Sequence, residues 1–220
     1  MKPRSTTTLV IIYLILYLAL AMWWLPLLWI FLTSIRPLAD TLSFPPVWVF
    51  TPTLDHYSLV LSDSYFLQAL VNSILTASSS TLCILVISIP AAYVLARYDF
   101  KNIEFYIIST KMTPPIVVLF ASYIMFFKLG ILGSRFALII LHMAFNLPLG
   151  VWLLKGFFQN IPVEIDEAAK IDGCSQWQII LEITIPLTLP GIATTGVLCF
   201  MFSWMEFLFA STITGRNTLT

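Results

Sequence analysis

Charge is what this 220-residue chain has least of: Asp, Glu, Lys and Arg make up 10% of it, eleven basic residues against eleven acidic ones. An ordinary globular domain, about a quarter of whose residues are charged, could not cover its surface with so few. Zero net charge leaves no basic stripe for nucleic acid and no polybasic grip on lipid headgroups. Cysteine is scarce too. Cys83, Cys174 and Cys199 are odd in number, form no C-x-x-C pair and lie near no His at metal-ligand spacing, so they read as buried or free thiols and no metal site is expected. Catalytic signatures are missing: there is no H-E-x-x-H, no G-x-S-x-G and no G-x-x-x-x-G-K-[ST] phosphate loop, and no lysine follows a glycine. Neither an enzyme nor a resident cofactor is expected in this chain.

What the chain has in excess is apolar surface, 59% of its residues. Five long runs stand out, roughly Leu9 to Leu32, Ala69 to Ala96, Ile103 to Phe127, Phe136 to Phe158 and Leu187 to Thr214. Each is long enough to cross a hydrocarbon core of about 30 Å, and none shows the period-two alternation of barrel strands. Only helices satisfy their own backbone at that depth, so the expectation is an all-α integral membrane protein, a polytopic helical bundle forming one domain over residues 1–220. The basic start, Lys2 and Arg4, and the small-x-small stretch Ala19-Leu20-Ala21 resemble a signal peptide, but the apolar run continues past Trp29. An uncleaved first helix is expected. Between the first two runs, Pro37, Pro45, Pro46 and Pro52 with Asp40, Asp55 and Asp63 mark a loop outside the cytoplasm. With the N-terminus inside, Lys2, Arg4, Arg97, Lys101, Lys155 and Lys170 face the cytoplasm, against Arg36, Lys128, Arg135 and Arg216 outside.

The segment between the last two runs, residues 159–186, carries the pattern Ile161-Pro162-Val163-Glu164-Ile165-Asp166-Glu167-Ala168-Ala169-Lys170-Ile171-Asp172-Gly173. Pro162 suits a first helical turn, Glu164, Asp166 and Glu167 complement its positive end, and Gly173 suits the left-handed position beyond the last turn. Ser175 can cap a second short helix through Trp177 and Ile183, with Pro186 and Pro190 marking the start of the next span. Such a hairpin is either a handle for a partner, with Ala168 and Ala169 allowing close approach and Trp177 filling an apolar groove, or an amphipathic loop lying on the membrane.

The order Glu167-Ala168-Ala169, Gly173, Ile183, Ile185-Pro186 resembles the EAA loop of ABC importer permeases, with Ile185 where the family has Leu. Asn72-Ser73, Ala91-Ala92-Tyr93 with Arg97 and Phe100, Asn146-Leu147-Pro148, and Trp204 with Glu206 resemble the carbohydrate branch, the maltose-permease type. Ser109-Thr110-Lys111-Met112 is closer to polyol permeases, while Met205 replaces the Asn that the family has between Trp and the acidic residue. The resemblance implies a MetI-like fold and a sugar or polyol importer in a bacterial or archaeal cytoplasmic membrane. It implies as partners a second permease subunit, two cytoplasmic ATP-binding subunits holding ATP and Mg, and an extracytoplasmic sugar-binding protein. It makes Glu164, Glu167, Ala168, Ala169, Asp172, Gly173, Trp177 and Pro186 the ATPase-coupling residues, and it implies six spans, the sixth expected beyond Thr220.

Polar residues inside the runs are the remaining candidates. Lys111 either lines a translocation route or pairs with Glu104 two turns away, and Pro114 and Pro115 should break the helix just after it. His142 and Asn146, one turn apart beside Pro148, offer either donors and acceptors for a hydroxyl-rich substrate or interhelical hydrogen bonds. Ser78, Ser79, Ser80 and Thr81 read first as packing positions, and Trp204 with Glu206 as substrate contact or interface anchor. Two rivals stand against the importer: a secondary transporter needing no ATPase, and an intramembrane hydrolase using a Ser and His142.

Overall fold

The computed structural model describes residues 6–215 and 218; Lys2, Arg4 and Arg216, used above for topology, lie outside them. Two compact units are distinguished, residues 1–67 and 68–220. In the first, α1 (Thr6–Ser34) is apolar on all sides and exposed along its length, the pattern of a helix whose solvent is lipid. The loop after it holds two short helices, α2 (Leu38–Thr41) and α3 (Asp55–Ser62). Arg36 is buried there under the rings of Trp29 and Phe50, 5.6 and 4.8 Å from its guanidinium carbon, and His56 Nε2 contacts its carbonyl at 2.9 Å.

The second unit is organised around α7 (Arg135–Gln159), which runs through both of its apolar cores. One core joins Ala92, Tyr93 and Leu95 of α4 (Ser64–Arg97) to Val151, Leu154 and Phe158 of α7, with Ala169, Ile179 and Ile192 from beyond it. The other joins Leu119 and Phe126 of α6 (Pro115–Lys128) to Leu138 and Leu141 of α7 and to Phe209 and Ile213. Lipid supplies no hydrophobic drive between helices, so close backbone approach at small residues has to hold them. A Cβ at Gly150 of α7 would fall 2.7 Å from Ser88 Oγ, and one at Gly191 would fall 2.4 Å from the Phe157 ring.

Among the described residues, four helices are individually long and apolar enough to cross a membrane. The run near 103–127 is not one straight helix: α5 (Lys101–Thr110) and α6 meet at 85° across a four-residue break, where Pro114 and Pro115 cannot continue the ladder. The pair counts as a fifth span only if both arms are taken together.

Two expectations are corrected. The last run does not continue as one helix to Thr214: α10 (Ile185–Trp204) stops, and after Met205–Phe207 a new short helix, α11 (Leu208–Ile213), begins. Glu206, one residue before the N-cap Phe207, secures the start of α11: its carboxylate accepts from the backbone N–H of Phe209 at 2.8 and 3.0 Å and of Ala210 at 3.3 Å. Pro186 does stand in the first turn of α10, but the second short helix expected after Ser175 is not separate from the span. α9 (Gln176–Gln178) passes through a π-helical turn, Ile179–Thr184, directly into α10, making one apolar helix over Gln176–Trp204. The widened turn sits where Pro186 has no N–H to offer the residues before it.

Candidate functional site

Two polar clusters dominate the second unit, one at the C-terminal end of α4 and one beside its middle turns. At the C-terminal end lies α8 (Val163–Ile171), which meets the rest of the chain through one narrow face. Asp166 and Ala169, three apart, are buried, while Glu164, Glu167, Ala168, Asp172 and Gly173 are exposed. Asp166 is the anchor. Its carboxylate accepts from Tyr93 Oη at 2.8 Å and from Arg97 Nε at 2.6 Å, and the Arg97 side chain also donates to the carbonyls of Phe158 and Ile161, both at 3.1 Å. One guanidinium thus ties together the ends of α4, α7 and α8, and its charge is matched in a site that is almost dry.

The far end of α8 is closed by its sequence. Gly173 has φ +88°, its N–H reaches the Lys170 carbonyl at 3.1 Å, and Cys174 N–H reaches Ala169 at 3.0 Å, the paired bonds of a Schellman cap. A side chain at Gly173 would meet no neighbour, so the left-handed backbone alone is what favours glycine here. Ser175 and Gln178 then form a reciprocal capping box. The hairpin presents Ile165, Ile171, Trp177 and Leu181 to the outside, 37%, 87%, 62% and 59% exposed, beside Glu164 and Glu167. Pro186 is exposed at the first turn of α10, away from this tip in sequence.

In the second cluster, Lys111 at the α5–α6 break reaches α7. Its Nζ donates to the Phe145 carbonyl at 3.1 Å and to Asn146 Oδ1 at 3.0 Å, and lies 3.7 Å from the centre of the Phe145 ring. Glu104 is not its partner; that carboxylate pairs with Lys155 at 2.5 Å. Asn146 Nδ2 donates to Ser203 Oγ at 3.4 Å, and Ser80 Oγ lies 3.2 Å from the same oxygen, so Asn146, Ser203 and Ser80 bridge α7, α10 and α4. His142 lies one turn further along. Its Nε2 is 3.5 Å from Glu206 Oε2 without hydrogen-bond alignment, leaving both ring nitrogens unpartnered, as is the hydroxyl of buried Thr76. These groups surround a cavity of about 260 Å³ lined by Ser73, Thr76, His142, Ser203, Trp204 and Glu206, with Trp204 stacked on Phe200.

The structure therefore brings His142, Asn146, Lys111, Trp204 and Glu206 to one neighbourhood, and the coupling-loop residues to another. Sequence reading did not single out Thr76, Ser203 or Asp166 as contacts. The available signals were Tyr93 and Arg97 four apart at the end of a span, and Asp166 with Ala169 three apart on a short helix.

A polytopic helical membrane protein with a short capped helix hung beneath its spans is the class this geometry defines. The chain belongs to the family described as binding-protein-dependent transport system inner membrane component, whose profile matches residues 84–220. It is 35% identical to the trehalose/maltose transport system permease protein MalG of Thermococcus litoralis over 190 residues, 84% of this chain and 68% of that one. It is 34% identical to the sulfoquinovosyl glycerol transport system permease protein SmoH of Agrobacterium fabrum, over 88% of this chain and 70% of that protein. Among solved structures, a chain of a bacterial ABC transporter involved in the import of alginate shares its fold, with a TM-score of 0.81 at 24% identity, covering 99% of this chain and 79% of that chain. The chain is thus a multi-pass inner-membrane transport component, not an enzyme.

Proposed function

We propose that this chain is one of two permease subunits of a carbohydrate importer, moving a sugar or polyol inward by alternating access while separate cytoplasmic subunits bind and hydrolyse ATP with Mg. An extracytoplasmic binding protein delivers the substrate, and the N-terminus lies in the cytoplasm. The observation that carries this reading is α8: a helix with a capped tip, an exposed face of carboxylates and apolar side chains, and one buried anchor. Glu164, Glu167, Ala168, Asp172, Gly173 and Trp177 form the docking element for the ATPase, Ala169, buried in the core, holds the inner face of α8 rather than meeting the partner, and Pro186 sets the start of the span that follows it. Carbohydrate is the substrate class because the relatives are named for trehalose, maltose and sulfoquinovosyl glycerol.

Inside the membrane, the cavity at Thr76, His142, Ser203, Trp204 and Glu206 supplies hydroxyl and imidazole groups and one carboxylate beside an indole, which suits a hydroxylated ring. Lys111 and Asn146 brace the helices beside it. Swinging the gate from 1:99 to 99:1 needs about 5.5 kcal/mol of differential affinity from nucleotide binding. Uptake of labelled trehalose, maltose, sulfoquinovosyl glycerol and mannitol into proteoliposomes holding the complete complex tests the reading. ATP-dependent uptake of one of them is expected; uptake driven by an ion gradient without the ATPase would establish a secondary transporter instead.

A further inference from the structure

We propose that the Asp166–Arg97–Tyr93 cluster is the joint through which movement of α8 is passed to α4, making Asp166 and Arg97 positioning residues for transport. The inference rests on the reading of α8 as the ATPase-docking helix. Two routes lead from α8 into the membrane. The covalent route runs through Gly173, in left-handed backbone with open space around it, then a three-residue helix and a π-helical turn. Each of these is a place where a helix pivots or slips register.

The second route is the buried cluster. Arg97 and Asp166 side chains are 8% and 2% exposed, and the guanidinium is held at once by Asp166 and by the carbonyls of Phe158 and Ile161. A planar, bidentate, desolvated pair of this kind fixes orientation as well as distance. Arg97 is the last residue of α4, a single helix whose earlier turns carry Ser73 and Thr76 on the wall of the cavity. At 1.5 Å per residue, Thr76 is about 30 Å along the helix from Arg97. A push on α8 therefore reaches the cavity along one helix, continuous through Pro90, with the cluster as its fixed joint.

The test needs no knowledge of the transported sugar. In a complex assembled with its ATPase, with Cys83, Cys174 and Cys199 replaced by Ala, Ser73→Cys is labelled with a membrane-impermeant maleimide in the presence and absence of ATP and Mg. With the cluster intact, nucleotide changes the labelling rate about fivefold or more. Asp166→Asn shrinks the change to roughly twofold or less while the ATPase still copurifies. Arg97→Lys keeps the charge but loses the fork. It carries the test should Asp166→Asn fail to assemble, and the same shrinkage is expected of it. A full nucleotide response in an assembled Asp166→Asn or Arg97→Lys complex overturns the joint. Glu167→Lys separates this from the docking reading: if that variant copurifies with the ATPase and responds fully, it is docking through α8 that fails.

Discussion

The two polar clusters along α4, one at its C-terminal end and one beside its middle turns, are built on opposite rules. Around Asp166 every strong group has a partner: one carboxylate, one guanidinium, one phenol and two carbonyls, closed off from solvent. Around His142, a residue on the cavity wall, both ring nitrogens and the Thr76 hydroxyl lack a hydrogen-bond partner, with the Glu206 carboxylate 3.5 Å from Nε2. A buried polar group left without a partner costs about 1–3 kcal/mol, so an orphaned set beside open space is the mark of a place meant to receive something polar. A satisfied set is the mark of a place meant to stay shut. Transport needs both, a seat that empties and fills and a linkage that keeps its length.

Substitutions that treat the two clusters alike should therefore give unlike results. The largest effect is expected from Asp166→Ala, which strands a buried guanidinium and should lower stability by about 3–5 kcal/mol, read as a drop in the unfolding temperature of the purified protein in detergent. A drop no larger than that of a surface substitution would mean the cluster is wet and weak. Next is Gly191→Val. Its Cβ would lie 2.4 Å from the Phe157 ring, so α7 and α10 must part, at about 1–3 kcal/mol by the same assay.

Gly173→Val comes third. It strains the left-handed turn by about 1 kcal/mol or more and re-aims the hairpin, with little effect on the unfolding temperature of the membrane-embedded helices. Its signature is weaker copurification of the ATPase. The smallest effect on stability is expected at the cavity, where Thr76→Val removes a hydroxyl that has no partner and should leave stability within about 0.5 kcal/mol of the parent. Uptake of the sugar that the complex carries best should nevertheless fall. Destabilisation as large as that of Gly191→Val would show that Thr76 is tied into the packing and erase the contrast.

The spans were legible because about twenty apolar residues in a row admit few other fates, and the break after Lys111 was legible because two consecutive prolines cannot sit inside a ladder. The hairpin was legible from its punctuation: Pro162 at the start, Gly173 at the end, Ser175 three residues before Gln178. Asp166 was harder. A carboxylate in a first turn serves the helix dipole or a partner equally well, and the partner is 69 residues away at the end of another span. Glu206 misled for a related reason. With Trp204 it reads as substrate contact or interface anchor, and besides lining the cavity it holds the backbone of the next helix, whose separate start the apolar run conceals. Lys111 and Glu104 share a helical face by spacing, yet each finds a nearer partner on α7, which no count along one helix reveals.

The most direct test of the central claim, that the exposed face of α8 is where a separate ATPase attaches, is quantitative copurification of that ATPase with the tagged permease bearing Glu167→Lys or Gly173→Val. The buried face, Asp166 and Ala169, is untouched in both variants, so the membrane-embedded core should stay folded. The account predicts that the ATPase is largely lost from both while each permease elutes at the position of the parent protein on size exclusion. Parental amounts of ATPase on both variants would contradict it.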